Sequence, residues 1–188
     1  IVRKALYGKE KKQNDLIKNA AMKLKYLCVP FEEEYYLFRN KKLISDDCRK
    51  IFFLYYPLQY LIRGTDTICG NDILIGNSAS ASNNHLEAFD RLRKFDTDNR
   101  KILVPLSYGD PKYADYVEEI GVRTFGNDFI PLRKFLSLNE YIQRIKTCGI
   151  VIMNHYRQQA LGNVLTMIYM GARVFLNESN TIFQFLTR

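Results

Sequence analysis

Residues 73–95 read ILIGNSASASNNHLEAFDRLRKF, and this stretch decides the fold. The apolar run at 73–75 predicts a short buried strand, and a loop of small and polar residues follows it. Apolar residues then recur at helical spacing, which predicts a helix carrying Leu86, Phe89, Leu92 and Phe95. A strand that leads through a loop into a helix is the repeating unit of a parallel α/β sheet.

The same unit repeats towards the end of the chain. Apolar runs predict further strands at 101–105, 122–125, 150–153 and 173–176. The spacing between them predicts three more helices. The first covers 113–120 and ends at Gly121, the second begins after Asn139 as its N-cap, and the third covers 161–169. Because parallel strands need a helical crossover, the pattern predicts a doubly wound α/β domain over residues 66–188.

Ligands of such sheets bind at the edge where the strands end and the helices begin. Five predicted loops lie at that edge: 76–82, 106–111, 126–131, 154–159 and 177–180. The first and the fourth of these loops carry the clearest chemistry.

The serine loop, residues 76–85, is rich in small side chains. Small side chains let backbone N–H groups approach a phosphate, and the following helix N-terminus adds a favourable dipole. The loop matches neither a Walker loop nor a dinucleotide fingerprint. It therefore indicates either an anion site or only a helix cap formed by Ser80, Ser82 or Asn83.

The glutamine loop, residues 154–163, combines Arg157 with the carboxamides of Gln158 and Gln159. A guanidinium group and carboxamides can hold a diphosphate and a sugar hydroxyl. Gly162 and Asn163 are poor helix formers. Their place one turn into the helix favours either close approach of a ligand or packing of Gly162 against the sheet.

Ser107 and Tyr108 belong to a third loop with a turn at Gly109. The tyrosine ring can stack on a base, but the same residues also suit an ordinary turn. His155 by itself is more often structural than catalytic.

The composition excludes several classes of protein. With 47% hydrophobic residues, the chain of 188 residues is not intrinsically disordered. Its four cysteines are widely spaced, which argues against a zinc cluster or a disulfide scaffold and fits a reducing compartment. The longest apolar stretch, 51–62, is shorter than the roughly 18 residues that a membrane-spanning helix needs.

The positive charge is concentrated at one end of the chain. Residues 1–65 contain 14 Lys and Arg against 7 Asp and Glu, whereas residues 66–188 contain 14 against 13. This asymmetry predicts a functional boundary near residue 65. Because the sequence begins with Ile1 and shows no signal peptide, we interpret the chain as a fragment of a longer protein.

The basic end is predicted to be helical. An apolar stripe lies beside Lys18, Lys23 and Lys25, and its members are Leu16, Ile17, Ala20, Ala21, Leu24 and Leu27. This amphipathic pattern suits either an anionic membrane surface or docking on another domain, and nucleic acid is the least favoured partner. The aromatic segment 49–63 suits either a membrane interface or packing between two domains.

The serine and glutamine loops together resemble the TDP-N-acetylfucosamine:lipid II N-acetylfucosaminyltransferase family, the 4-alpha-L-fucosyltransferases. The resemblance is carried by residues 73–95, by VPLSYG at 104–109 and by YRQQALGNVLTMIYMGARVFLNESNTIF at 156–183. The GNS sequence at 76–78 and the RQQ sequence at 157–159 are its most specific features.

The resemblance implies a GT-B glycosyltransferase with two Rossmann-like domains. Residues 66–188 would form most of the C-terminal, nucleotide-sugar-binding domain, and residues 1–65 the end of the acceptor domain and the interdomain connection. The implied donor is a dTDP-activated deoxyamino sugar, and the implied acceptor is a polyprenyl-diphosphate-linked saccharide in bacterial surface polysaccharide synthesis. The enzyme would be cytoplasmic and peripheral on the inner face of the cell membrane, with no cofactor, no metal and no nucleic acid.

When the family's motifs are matched to this sequence by position, the resemblance implies a set of donor-binding residues, to which the third loop is added. The full set is Gly76, Asn77, Ser78, Ser82, Asn83, His85, Ser107, Tyr108, Arg157, Gln158, Gln159, Gly162, Asn163, Asn177 and Glu178. The family commonly has a charged residue after GNS, where this chain has Ala79, Ser80 and Ala81. This departure leaves the identity of the sugar open.

The implied reaction is direct displacement of the diphosphate. Arg157, the two glutamines and two helix N-termini would stabilise the charge that builds on the leaving group. The base that takes the acceptor's proton is expected on the other domain, so we expect this chain to bind nucleotide without transferring sugar. Two alternatives stay open: a non-catalytic nucleotide-binding or scaffolding domain, and a GT-B transferase that uses UDP- or GDP-sugars.

Overall fold

The computed structural model describes residues 14–53 and 66–188, and the chain divides into two compact units, Ile1–Tyr55 and Tyr56–Arg188. The first unit contains helix α1, which ends at residue 21, strand β1 (Tyr26–Val29), helix α2 (Glu32–Asn40) and strand β2 (Arg49–Phe52). β1 and β2 are parallel neighbours, with Tyr26 opposite Arg49. The described part of the basic end is therefore an α/β unit: it contains helices, as the prediction of a basic helical segment expects, but also two strands that were not predicted.

The predicted basic helix extends too far in the sequence. Leu24 and Leu27, the last members of its apolar stripe, lie beyond the end of α1, and Leu27 belongs to β1. Residues 26–29 are β-favouring, and pairing with β2 satisfies their backbone groups. The basic residues before residue 14 and most of the aromatic segment 49–63 lie outside the described residues.

The second unit alternates strands and helices. Its strands are β3 (Ile73–Ile75), β4 (Ile102–Pro105), β5 (Phe129–Leu132), β6 (Ile150–Met153) and β7 (Arg173–Leu176). Its helices are α3 (His85–Leu92), α4 (Pro111–Phe125), α5 (Leu138–Ile145), α6 (Leu161–Tyr169) and α7 (Thr181–Leu186). The five strands form one parallel sheet in the order β5-β4-β3-β6-β7, which confirms the predicted Rossmann-like α/β fold.

The strand order determines where a ligand can bind. From β3 the chain moves outward through β4 to β5 and then returns to place β6 on the other side of β3. The loops that follow β3 and β6 therefore diverge from neighbouring strands at a topological switch point, where such sheets form a crevice. The serine loop and the glutamine loop are these two loops.

The core on one face of the sheet is organised around Phe89. This side chain is 1% exposed, and its ring meets the rings of Phe125 and Phe129 edge-on at centroid distances of 5.4 and 5.7 Å. Strand residues Ile75 and Val104 belong to the same buried cluster. The cluster ties α3, the end of α4 and β5 to the middle of the sheet.

Phe129 explains why α4 does not end where the sequence predicts. Gly121 lies inside α4, and a Cβ atom on it would overlap the Phe129 ring. Gly121 therefore permits close packing instead of stopping the helix, which continues to Phe125. The predicted strand at 122–125 was wrong, and the predicted loop at 126–131 contains most of β5.

Other helix boundaries also differ from the prediction. Ser137, not Asn139, is the N-cap of α5, where Ser137 and Glu140 form a capping box. Phe95 lies beyond the end of α3 and is 70% exposed. Helix α7 was not predicted, because its short sequence shows too few turns for a helical period to be recognised.

The four cysteines are all free, but only Cys48 and Cys148 are buried. Across residues 14–53 and 66–188, no helix is both long enough and apolar enough to cross a membrane.

We predict that Gly121→Ala destabilises the protein by about 1–3 kcal/mol, because the new methyl group must displace the Phe129 ring from a filled core. Helix propensity alone predicts the opposite sign, a gain of about 1 kcal/mol. Urea unfolding of the variant measures the difference. Val122→Ala, at the exposed next position of the same helix, is the matched control and should change stability by no more than about 0.5 kcal/mol.

Candidate functional site

The serine and glutamine loops are joined by side-chain hydrogen bonds. Ser82 Oγ donates to Gln159 Oε1 at 2.7 Å, and Gln159 Nε2 donates to Asn77 Oδ1 at 3.0 Å. Arg157 Nη2 lies 3.4 Å from Ser82 Oγ. We call these four residues, with Gln158 beside them, the two-loop cradle. Positions 77 and 159 are far apart in sequence, and the parallel sheet brings them together.

Asn83 supports the cradle through hydrogen bonds to both of its loops. It is fully buried, and its Nδ2 donates to the backbone oxygens of Ser78 and Ser80 at 3.0 and 3.1 Å. Its Oδ1 accepts from the backbone N–H of Asn77 at 2.9 Å and lies 2.8 Å from Nε2 of His155. This one amide therefore determines the shape of the serine loop and fastens it to the glutamine loop.

These contacts determine the tautomer of His155. Carbonyl oxygens only accept, so the Asn83 amide nitrogen must face Ser78 and Ser80 and its oxygen must face His155. Nε2 of His155 therefore carries the proton. Its Nδ1, like Nε2 of His85, is buried without a hydrogen-bond partner among the described residues.

Both histidines are neutral near pH 7. Burial, together with the nearby His155, lowers the pKa of His85 to about 4. Burial, together with Arg157, lowers the pKa of His155 to about 4. Gly76 makes room for this arrangement: its φ is +69°, and a Cβ atom there would lie 2.6 Å from Nε2 of His85.

Two helices begin at the cradle without a side-chain cap. The residues before α3 and α6, Asn84 and Ala160, adopt left-handed conformations with φ of 51° and 58°, and neither helix has a side-chain cap hydrogen bond. The alternative that Ser80, Ser82 or Asn83 caps α3 was therefore wrong. By contrast, α4, α5 and α7 are capped by Asp110, Ser137 and Asn180.

An uncapped helix start leaves N–H groups that need an acceptor. In α6 the first intrahelical acceptor is the Ala160 oxygen, which receives the N–H of Val164. The N–H groups of Leu161, Gly162 and Asn163 precede that bond and carry the positive end of the helix dipole. Chemically, this helix start suits an anion such as a phosphate.

The third loop is fastened to the serine loop. The Ala79 N–H donates to the Tyr108 oxygen at 2.7 Å, and Asn77 Nδ2 donates to the Tyr108 hydroxyl at 2.7 Å. Gly109 allows the contact: its φ is +117°, and a Cβ atom would overlap the Ala79 oxygen. Tyr108 is 52% exposed, so its ring is held in place and still accessible.

A polar cluster joins α3 to the glutamine loop. Glu87 Oε2 accepts from the Tyr156 hydroxyl at 2.7 Å and from Asn154 Nδ2 at 3.1 Å, and these bonds lower the pKa of Glu87. Asn177 Nδ2 donates to Asn154 Oδ1 at 3.0 Å. Asn177 thus contacts the glutamine loop, whereas Glu178 is exposed at the end of β7.

Asn180, which was not predicted as a site residue, supports the glutamine loop. It is fully buried, and its Nδ2 donates to the backbone oxygens of His155 and Arg157 at 3.0 and 2.9 Å. Its Oδ1 caps α7 by accepting from Ile182. The Asn-Thr pair at 180–181 is a recognisable helix start, but no sequence pattern shows that the same amide holds a loop 23 residues away.

The structure also shows a cleft beside the cradle. The cleft has a volume of about 250 Å³, and Asn77 lines it on the cradle side. Ser107, Tyr108 and Asn163 were predicted as site residues and line it too. Lys134, Phe135 and Tyr141 complete its polar and aromatic lining, and the sequence did not single them out.

Metal ligands are not grouped here: within residues 14–53 and 66–188 no three His, Cys, Asp or Glu side chains are placed to hold one ion. What the cradle does offer is an arginine, the amides of Asn77, Gln158 and Gln159, and a free helix start at one edge of the sheet. Groups of this kind can bind and stabilise negative charge.

The family model described as 4-alpha-L-fucosyltransferase glycosyl transferase group 56 matches residues 52–188. The chain belongs to this family. Membership makes it a glycosyltransferase of the fucosyltransferase type, with a nucleotide-sugar donor and an acceptor saccharide. In this glycosyltransferase the matched region includes the whole five-stranded sheet and both loops of the cradle.

The buried histidines predict how the stability of this family member depends on pH. Their folded pKa values, about 4, lie below the ordinary value of 6.5, so acid protonates the unfolded chain first. The stabilisation is complete above about pH 6.5 and is lost as the pH falls towards 4. We expect a lower urea midpoint at pH 5 than at pH 7, a range in which most carboxylates remain ionised.

The control is the double variant His85→Asn, His155→Gln, whose amides do not titrate. Gln can donate to Asn83 from about the position of Nε2, and Asn can face the Tyr113 hydroxyl, which lies 3.3 Å from Nδ1 of His85. Its urea midpoint should change much less between pH 7 and pH 5. An equally large change in the variant would contradict the assignment to these histidines.

Proposed function

We propose that the two-loop cradle binds the diphosphate of a dTDP-activated deoxyamino sugar of the N-acetylfucosamine type. The observation that carries this proposal is the Gln159 amide, which joins Ser82 and Asn77 directly at the topological switch point. The uncapped start of α6 follows Gln159 by two residues. Free helix N–H groups and neutral amide donors therefore lie together where sheets of this type bind anionic ligands.

Backbone strain at the start of α6 supports a binding role. An alanine in the left-handed region costs about 1–2 kcal/mol, and Ala160 bears this cost, whereas an asparagine such as Asn84 adopts this region readily. Strain of this kind persists where surrounding contacts hold it, and it clusters at ligand sites. Here the strained residue, Ala160, directly precedes the first residue of α6.

The chemistry of the cradle suits stabilisation of a leaving group. Bond cleavage between the sugar and the diphosphate leaves additional negative charge on the phosphate oxygens. Arg157 is exposed and needs only to swing from its weak 3.4 Å contact with Ser82 to pair with those oxygens. We propose that this stabilisation operates without a metal ion, within a GT-B enzyme whose base lies on the acceptor domain.

The proposed acceptor is a polyprenyl-diphosphate-linked saccharide, so we propose that the enzyme works peripherally on the inner face of a bacterial membrane. Leu16 and Ile17 on α1 support the peripheral placement: they are 64% and 59% exposed and adjoin Lys18. Exposed apolar side chains beside lysines suit the surface of an anionic bilayer.

Calorimetric titration with dTDP, UDP, GDP and NAD tests the proposed donor. We expect the chain to bind dTDP in preference to the others, and Arg157→Ala to weaken dTDP binding by about 10- to 100-fold, the loss of a charged hydrogen bond of roughly 1.5–3 kcal/mol. Arg123→Ala removes another exposed arginine, near the end of α4, and should leave binding unchanged. Equally weak binding of all four nucleotides would oppose the proposal and favour a scaffolding domain.

A further inference from the structure

The cleft beside the cradle is continuous with it through one side chain. Asn77 accepts from Gln159 inside the cradle, donates to the Tyr108 hydroxyl, and lines the cleft. In a nucleoside diphosphate only a pentose separates the base from the phosphates. A base attached to a diphosphate in the cradle is therefore within reach of the cleft that Asn77 lines.

The lining of the cleft suits a flat ring with polar edges. Tyr108 and Phe135 supply accessible aromatic surface, with exposures of 52% and 81%. Aromatic side chains of this kind stack on nucleobases. The apolar remainder of the lining is made by Pro105, Leu132, Leu136 and Leu138.

Polar groups in the cleft match the carbonyl oxygens of a pyrimidine. Lys134 and Ser107 can donate, and Asn163 Nδ2 already donates to the Tyr141 hydroxyl at 3.1 Å. Burial raises the pKa of Tyr141, so this hydroxyl keeps its proton and remains a donor as well as an acceptor.

The volume limits the size of the occupant. Sites that enclose an entire small ligand usually have about 300–1,000 Å³, and this cleft has about 250 Å³. It is therefore large enough for one part of a nucleotide, such as its base, and too small to enclose the whole nucleotide.

We propose that the cleft lined by Tyr108, Phe135 and Lys134 binds the pyrimidine base of the donor nucleotide. This inference rests on the proposed function, because it takes the diphosphate to lie in the cradle. The leucines of the lining place an apolar surface where the 5-methyl group of thymine can be buried. The cleft would then distinguish thymine from uracil by one methyl group. It would distinguish thymine from guanine because thymine offers two carbonyl oxygens to Lys134 and Ser107, whereas guanine offers one.

The test compares nucleotides and variants of the whole chain by calorimetry. dTDP and dUDP differ only in the methyl group, so dTDP should bind about 5- to 10-fold more tightly, and dGDP should bind more weakly than both. Phe135→Ala should weaken dTDP binding by roughly 10-fold, the loss of one stacking surface. Phe95→Ala is the matched control, because Phe95 is similarly exposed at 70% and does not line the cleft.

The outcomes separate this inference from the proposed function. If Arg157→Ala weakens dTDP binding while Phe135→Ala does not, the base lies elsewhere and the inference is overturned, whereas the cradle stands. Equal affinity for dTDP and dGDP would overturn it as well. If the unaltered chain binds none of the nucleotides, the proposed function fails and the base site fails with it. A loss of dTDP binding in Phe135→Ala, with normal binding in Phe95→Ala, supports the inference.

Discussion

The candidate site depends on the buried amide of Asn83. Its nitrogen donates within the serine loop, and its oxygen accepts both from Asn77 in the serine loop and from His155 in the glutamine loop. A buried amide is stable only when its donors and acceptors are satisfied, and here every partner comes from the site itself. The arrangement therefore holds only while both loops keep their places, which couples the shape of one loop to the other.

The parallel sheet makes this coupling possible. β3 and β6 are neighbours although the chain visits β4 and β5 between them, so their carboxyl ends lie side by side. The two helix starts above them are uncapped, and the other helices of the same unit, α4, α5 and α7, are capped by side chains. Within this unit the structure thus leaves hydrogen-bonding capacity at the edge where the family's nucleotide-sugar donor is expected.

The two buried histidines add no positive charge to the site near pH 7. A charged His155 would repel Arg157 and would lack an acceptor at Nδ1, so burial and Arg157 together keep the ring neutral. Positive charge in the cradle is therefore supplied by Arg157, which is exposed. The supporting residues Asn83, His155 and Asn180 are buried and uncharged.

The sequence by itself determined the strand and helix units, the parallel sheet and the two loops, because apolar periodicity and small-residue loops are local patterns. The prediction from sequence was wrong at 122–125 and at 24–27, because the helix and strand patterns there are both short. Contacts with other parts of the chain decided the outcome: Phe129 packs against Gly121, and β2 pairs with β1. Only the tertiary structure decided which groups meet. The bonds from Gln159 to Asn77, from Asn180 to the glutamine loop, and the cleft with Phe135 all join residues that no local period connects.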